Sequence, residues 1–242
     1  MRLDKFLSEM GYGTRSEVKK YLKTRHITIN DESVTKPETK IDPECDIICD
    51  QGKQIIYCRY EYYLLYKPAG CVTATEDRIH KTVMDYLICT TRSDLFPVGR
   101  LDIDTEGLLL ITNDGALAHD LLSPSRHVKK TYYAIIDGKV TDEDVSLFQS
   151  GVDIGEEKTT KPATLTILKS EQESEIELTI TEGRFHQVKR MFEAVGKKVM
   201  YLKRISMGTL KLPENMKPGE YRALTEEEIA SLKACAHSCI IE

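Results

Sequence analysis

The chain contains, at residues 99–111, the sequence Gly-Arg-Leu-Asp-Ile-Asp-Thr-Glu-Gly-Leu-Leu-Leu-Ile. Three acidic side chains, Asp102, Asp104 and Glu106, lie between two glycines and lead directly into an uninterrupted apolar run. Such a run is typical of a strand that is buried on both faces. Carboxylates at the edge of a core must be paired, hydrogen-bonded or neutral, and they are often functional groups. We therefore expect the functional residues of the protein in this loop, at the edge of the core.

Two simpler interpretations of the same region are a hairpin turn and a calcium loop. The tripeptide Asn113-Asp114-Gly115 follows the apolar run and is a typical hairpin turn. Asp102, Asp104, Glu106 and Gly107 match the first, third, fifth and sixth positions of an EF-hand loop. The twelfth position, however, is an asparagine instead of the bidentate glutamate, and no amphipathic helix precedes the loop. The calcium interpretation is therefore disfavoured.

Length and composition indicate an ordinary globular chain. With 242 residues, 40% hydrophobic and 30% charged, the chain is long enough for one or two domains. Its apolar runs are far shorter than the roughly 20 residues that a membrane-spanning helix needs. The charged N-terminal segment lacks the apolar stretch of a signal peptide. We expect no membrane association and a cytoplasmic location.

The cysteines predict neither a disulfide framework nor a metal site. There are seven of them, an odd number, and none form a Cys-x-x-Cys pair. We expect free thiols and no bound metal.

The distribution of charge along the chain favours a nucleic-acid partner more than the net charge does. The formal net charge of −5 argues against a polyanionic partner. Residues 1–25, however, carry seven basic and three acidic side chains, and residues 184–211 carry eight basic side chains against the single acid Glu193. These two segments are candidate phosphate-binding surfaces.

The N-terminal segment predicts two short amphipathic helices. In the first, Leu3, Phe6, Leu7 and Met10 lie at helical spacing. Thr14-Arg-Ser-Glu17 has the form of a capping box and begins the second helix. The exposed face of this helix would present three cations to phosphates: Arg15, Lys19 and Lys23.

Further along the chain, patterning predicts a linker, then strands and helices. Residues 51–54 are expected to link two domains, and Lys67-Pro-Ala-Gly70 ends the first strand of the second. Helices are expected at 116–122 and from about Val188 to a stop at Gly196. Strands are expected at 130–136, 163–168 and 176–180.

Three stretches resemble a known family. Residues 99–115, Gly-Arg-Leu-Asp-x-Asp-Thr-x-Gly-Leu-Leu-Leu-x-Thr-Asn-Asp-Gly, are similar to the catalytic motif of the S4-domain-containing pseudouridine synthases that modify ribosomal RNA. Residues 183–191, Gly-Arg-x-His-Gln-Val-Lys-Arg-Met, resemble another motif of that family. Residues 1–50 resemble the S4 RNA-binding domain, with a departure at Arg25, where the family usually has glycine.

The resemblance implies an α+β protein in two domains. A small S4 (αL-type) RNA-binding domain would span residues 1–55, and a catalytic domain with a mixed, largely antiparallel sheet would span residues 60–242. The implied catalytic residues are Asp102, Tyr132, which would stack on the target base, and Lys189, which would pair with Asp102. The implied or inferred RNA-binding residues are Arg15, Lys19, Lys23, Arg100, Lys130, Arg184, His186, Gln187 and Arg190.

The resemblance also implies an activity, the isomerisation of a uridine in ribosomal RNA to pseudouridine without a cofactor. The form His186-Gln-Val-Lys189 favours the small-subunit branch of the family. The expected partner is then 16S ribosomal RNA or a small-subunit assembly intermediate, bound by a monomer. Two alternatives remain, a large-subunit (23S) synthase and a non-catalytic S4 adaptor of ribosome assembly.

Overall fold

The computed structural model describes residues 1–24 and 26–238. Arg25, the site of the departure noted above, lies outside the described residues. The chain divides into two compact units, residues 1–61 with 88–95, and residues 62–87 with 96 onward. In the described part of the chain, no helix combines the length and apolar character that crossing a membrane requires.

The first unit is a helix pair with a small antiparallel sheet. Its elements are α1 (Leu3–Glu9), α2 (Arg15–Thr24), β1 (Ile27–Ile29), β2 (Glu32–Ser33), β3 (Ile48–Asp50) and β4 (Lys53–Gln54). The sheet order is β2-β1-β3-β4. The predicted capping box is confirmed, because the Thr14 backbone N–H donates to the Glu17 carboxylate at 2.7 Å and the Glu17 N–H donates back to the Thr14 hydroxyl at 3.3 Å.

Two features of the first unit differ from the sequence interpretation. Residues 51–54 do not form a linker, because Gln51 and Gly52 adopt positive φ and turn β3 back into β4. Residues 88–95 join this unit. The Ser93 hydroxyl donates to the Ser8 carbonyl at 2.7 Å. Nη2 of the buried Arg92 lies 3.0 Å from Oε2 of Glu9.

The second unit is built on a nine-stranded sheet. Its strands are β5 (Tyr62–Lys67), β6 (Phe96–Pro97), β7 (Glu106–Thr112), β8 (Lys130–Asp137), β9 (Thr164–Lys169), β10 (Glu173–Ile180), β11 (Lys198–Met207), β12 (Leu210–Lys211) and β13 (Tyr221–Ala223). The main order is β13-β5-β7-β11-β8-β10-β9. Among the described strand pairs, β7 and β11 run parallel and the others antiparallel, which confirms the mixed, largely antiparallel sheet.

Four α-helices accompany this sheet in the described residues. They are α3 (Gly115–Leu122), α4 (Asp142–Ser150), α5 (Gln187–Ala194) and α6 (Glu226–Ser238). Asn113-Asp-Gly115 is not a hairpin turn, because the Asp114 side chain caps α3 by accepting a hydrogen bond from the Leu117 N–H at 3.1 Å. One core cluster unites β8, β9, β10, α4 and α5, with Phe148 and Phe192 in ring contact at 4.9 Å.

Candidate active site

The loop that contains Asp102 is attached to the sheet by a buried lysine. Lys67, at the end of β5, is fully buried, and its Nζ donates to the backbone carbonyls of Asp102 at 3.0 Å and Thr105 at 2.9 Å. Burial lowers the pKa of Lys67 from its ordinary value. Carbonyl acceptors at these distances satisfy the buried ammonium group, and they fix the backbone on both sides of Asp104.

A second attachment lies just before Asp102. The Thr73 hydroxyl donates to the Leu101 carbonyl at 2.8 Å and accepts from the Leu101 N–H at 3.1 Å. Both residues are buried. The backbone that carries Asp102 is therefore held in one conformation before any substrate binds.

Three elements bring the predicted catalytic residues together. The loop before β7 supplies Asp102, β8 supplies Tyr132 and α5 supplies Lys189. All three line one open pocket, whose other polar lining residues are Arg100, Thr105, Arg184, His186 and Gln187. The two segments that resemble catalytic motifs, about 80 residues apart in sequence, thus form a single site.

Two nitrogen-containing side chains face the carboxylate of Asp102. Lys189 Nζ lies 3.4 Å from Asp102 Oδ2, and His186 Nε2 lies 3.5 Å from Asp102 Oδ1. The Asp102 side chain is 26% exposed, so it remains accessible from the pocket. The carboxylate of Asp102 therefore lies between the Lys189 ammonium group and the His186 imidazole, with part of its surface open to the pocket.

Lys189 binds Asp104 more closely than it binds Asp102. Its Nζ donates to both carboxylate oxygens of Asp104, at 2.7 and 2.8 Å. Burial would raise the pKa of Asp104, but the hydrogen bonds and charge of Lys189 outweigh it and lower that pKa. Sequence reasoning expected a pair between Lys189 and Asp102, and the structure shows Lys189 bridging both aspartates.

Several predicted RNA-binding residues are also engaged within the protein. Arg184 donates to the carbonyls of Lys158 and Thr159 at 2.6 and 2.8 Å, and Gln187 Nε2 donates to Glu182 at 3.0 Å. The guanidinium group of Arg190 pairs with Glu156. The contacts of Arg184 and Arg190 tie α5 and the loop before it to residues 156–159.

The other predicted contacts lie outside the pocket lining. Lys130 is buried and donates to the Val128 carbonyl at 3.1 Å; burial, assisted by the charges of Arg204 and Lys161, lowers its pKa to about 8. In the first unit, exposed cations lie along α2 at positions four apart: Arg15, Lys19 and Lys23.

The acidic side chains do not converge as a calcium loop requires. Asp102 and Asp104 both face Lys189, whereas Glu106 accepts a hydrogen bond from the Tyr201 hydroxyl at 2.9 Å. The ammonium group of Lys189 lies between the two aspartates, in the position that a calcium ion would have to take. This arrangement is that of an ion-pair network instead of a metal-ligand set.

Sequence reasoning missed one functional candidate in the pocket lining. Thr105 is 2% exposed, and its hydroxyl oxygen has no hydrogen-bond partner among the described residues. Buried hydroxyl groups are almost always paired, so an unpaired one in a pocket is a candidate contact for a ligand. Thr105 lies within the motif at residues 99–115, but no feature of the sequence indicates that its hydroxyl group lacks a hydrogen-bond partner.

Comparison with known proteins identifies the family. The model of the RNA pseudouridylate synthase family matches residues 61–194, and the model of the S4 domain matches residues 1–48. The chain belongs to the RNA pseudouridylate synthase family. The synthase therefore consists of an S4 domain followed by a pseudouridine synthase domain, as the resemblance implied.

Relatives match this synthase over almost its whole length. It is 46% identical over 231 residues to an uncharacterised RNA pseudouridine synthase of Bacillus subtilis (strain 168), covering 95% of this chain and 97% of the relative. It is 41% identical over 233 residues to ribosomal small subunit pseudouridine synthase A of Escherichia coli (strain K12), covering 96% and 100%. A crystal structure of a pseudouridylate synthase superimposes with a TM-score of 0.68 at 38% identity, covering 96% of this chain and 99% of that one.

Proposed function

We propose that this synthase isomerises a uridine of small-subunit ribosomal RNA to pseudouridine, with Asp102 as the reacting carboxylate. The observation that carries the proposal is the position of Asp102, which is held by a fixed backbone and faces Lys189 and His186 in an open pocket. The relatives named ribosomal small subunit pseudouridine synthase A support the choice of RNA.

The chemistry requires a carboxylate and no redox partner. The bond between ribose C1′ and uracil N1 breaks and C1′ bonds to C5 of the same base. The C5 hydrogen leaves as a proton and N1 takes up a proton, so the product is an isomer of the substrate. A carboxylate beside the sugar stabilises the positive charge that develops there when the bond to N1 breaks. Asp102 supplies this group, and its Oδ2 lies 3.4 Å from the Nζ of Lys189.

Other residues of the pocket are placed to contact the target base and the RNA backbone. Tyr132 is 8% exposed and lines the pocket, so its ring is placed to stack on a uracil that has left its helical stack. Arg100 is exposed at the rim and is suited to a phosphate oxygen. The Arg15/Lys19/Lys23 face of α2 binds more distant phosphates. We further propose that the protein acts as a monomer in the cytoplasm, where the small subunit is assembled.

The test measures tritium release from RNA labelled with [5-³H]uridine, because forming the new bond at C5 expels that hydrogen. Small-subunit RNA, small-subunit assembly intermediates and large-subunit RNA are compared. We expect release from a small-subunit substrate and a fall of at least about 100-fold in Asp102→Asn, with RNA binding near that of the parent. Asp104→Asn is the matched control and should stay within about tenfold of the parent.

Each contrary result points to one alternative. Release from large-subunit RNA alone would assign the enzyme to the other branch of the family. Binding of a small-subunit assembly intermediate without release from any substrate would support an adaptor. Undiminished release by Asp102→Asn would show that Asp102 is not the reacting carboxylate. Mapping pseudouridines in ribosomal RNA from cells with and without the protein then identifies the nucleotide.

A further inference from the structure

An exposed aromatic ring lies next to the pocket and has no part in the function proposed so far. Phe185 is 74% exposed, although phenylalanine is among the residues most often buried. It immediately precedes His186, which lines the pocket beside Asp102. Exposed aromatic surface at the rim of a site commonly marks a contact for a partner or ligand.

The Phe185 ring is stacked on the His186 ring. Their centroids are 3.8 Å apart, and the two planes differ by only 18°. His186 adopts φ of +50°, a left-handed conformation that non-glycine residues rarely take. This backbone places the two rings face to face, with His186 toward the pocket and the outer face of Phe185 toward solvent.

The backbone that presents the ring is rigidly held. The Arg184 N–H donates to Gln187 Oε1 at 2.9 Å, and Gln187 is itself buried against Glu182. The Phe185 carbonyl accepts from the Arg190 guanidinium group at 3.2 Å. Because these bonds fix the loop on both sides, a ligand that stacks on Phe185 has little ordering entropy to overcome.

The surroundings favour a nucleobase as that ligand. The exposed guanidinium group of Arg100 lines the same pocket, so a phosphate of the RNA is attracted to its rim. Aromatic rings beside cations are the usual platform for single-stranded RNA, because every base has a face that can stack. Flipping a base for chemistry also deprives its neighbour of a stacking partner.

We propose that Phe185 and His186 form a stacking platform for the base that flanks the target uridine, an inference that rests on the proposed function. The flanking base lies on the outer face of Phe185 while the uridine enters the pocket beside Asp102. Phe185 is then a positioning residue, which compensates for the stacking that the RNA loses on flipping.

The binding test uses a probe that needs no turnover. A single-stranded uridine nonamer with one 2-aminopurine is titrated with the full chain, because stacking quenches the fluorescence of 2-aminopurine. We expect quenching with the parent and with Phe185→Tyr, and its loss with Phe185→Leu. Leu168→Ala, which changes a side chain that is 53% exposed on β9, is the matched control and should behave as the parent.

The kinetic test separates binding from chemistry. With [5-³H]uridine-labelled small-subunit RNA, Phe185→Leu should raise KM about tenfold and leave kcat within about twofold. Phe185→Tyr should restore KM, and the melting temperature should not change in any variant because the ring is exposed. If Phe185→Leu showed the same quenching and the same KM as the parent, the stacking platform would be ruled out. If Phe185-dependent quenching occurs but the parent releases no tritium, the platform stands and the proposed function fails.

Discussion

Lys189 and Asp104 form a close ion pair at the candidate active site, with Nζ at 2.7 and 2.8 Å from the two carboxylate oxygens. Asp102, the proposed reacting group, lies 3.4 Å from the same Nζ. The pair with Asp104 thus fixes the ammonium group and leaves the carboxylate of Asp102 free of a tight hydrogen bond. A carboxylate that must approach a sugar carbon benefits from a nearby charge that does not cover it.

The first prediction concerns the pH dependence of the Lys189–Asp104 pair. Lys189 lowers the pKa of Asp104 from the ordinary value of 3.8. The pKa of Asp104 is therefore lower in the folded protein than in the unfolded chain. The ion pair stabilises the fold fully at pH values above the unfolded pKa, and this stabilisation is lost as the pH falls through the lower, folded pKa. The free energy of unfolding of Lys189→Met should lie below the parent's by a constant amount above about pH 5 and converge with it in acid.

Urea unfolding at a series of pH values measures this difference. Lys189→Arg is the control, because it keeps the charge and should follow the parent at every pH. A ¹³C titration of the Asp104 carboxyl group gives an independent reading, with its pKa higher in Lys189→Met. A deficit that is the same in acid and at neutral pH would show that the lysine stabilises the fold by packing alone.

The second prediction concerns the unpaired hydroxyl of Thr105. Thr105→Val keeps the shape of the side chain and removes a buried hydroxyl that has no partner. The free energy of unfolding should therefore stay the same or rise by about 0.5 kcal/mol. If the hydroxyl binds the substrate, the single-turnover rate should fall about tenfold. Thr105→Ser should keep the rate, and a parental rate in Thr105→Val would remove this residue from the substrate contacts.

Local sequence patterns predicted the elements around the site because helix and strand periodicity is set by neighbouring residues. Strand β8 lies where the run of β-branched and aromatic residues predicted it, and helix α5 lies where helical spacing predicted it. The turn at Asn113-Asp114 was misread, since aspartate before glycine suits a hairpin and a helix cap equally. The bonds to Leu117 and to the Tyr62 hydroxyl identify the cap.

Long-range pairings could not be read from the sequence. Lys189 and Asp104 are 85 positions apart, and nothing in either segment distinguishes Asp104 from Asp102 as the closer partner. The choice depends on how Lys67 and the strand β7 orient the loop between them. For the same reason, no local pattern indicated that residues 88–95 associate with the N-terminal unit.

The third prediction tests the close approach of β7 and β11. Gly107 has φ of +104°, and a Cβ there would lie 2.2 Å from the Arg204 carbonyl oxygen. Gly107→Ala should lower the free energy of unfolding by more than about 3 kcal/mol, since the strained backbone and the clash both oppose folding. Gly115→Ala, where a Cβ meets nothing within 4 Å, is the control and should be neutral or stabilising by up to about 1 kcal/mol. Equal thermal stability of the two variants would contradict the strand pairing.

The last prediction concerns the cationic face of α2. Substituting its exposed basic residues with alanine, Arg15, Lys19 and Lys23 together, removes phosphate contacts if this face binds RNA. Point substitutions are preferable to deleting residues 1–55, because Arg92 and Ser93 pack with that segment and would lose their partners. Each lost contact should reduce the slope of log affinity against log salt by about 0.7 to 0.9, so the triple variant should lose roughly two to three units.

The control for this experiment carries the same loss of charge elsewhere in the N-terminal unit. Lys36, Lys40 and Lys53 are exposed and lie off α2. If binding depended only on net charge, both triple variants would show the same reduced slope. A reduced slope in the α2 variant and a parental slope in the control places the phosphates on α2. Parental slopes in both would mean that the Arg15/Lys19/Lys23 face does not contact the RNA phosphates.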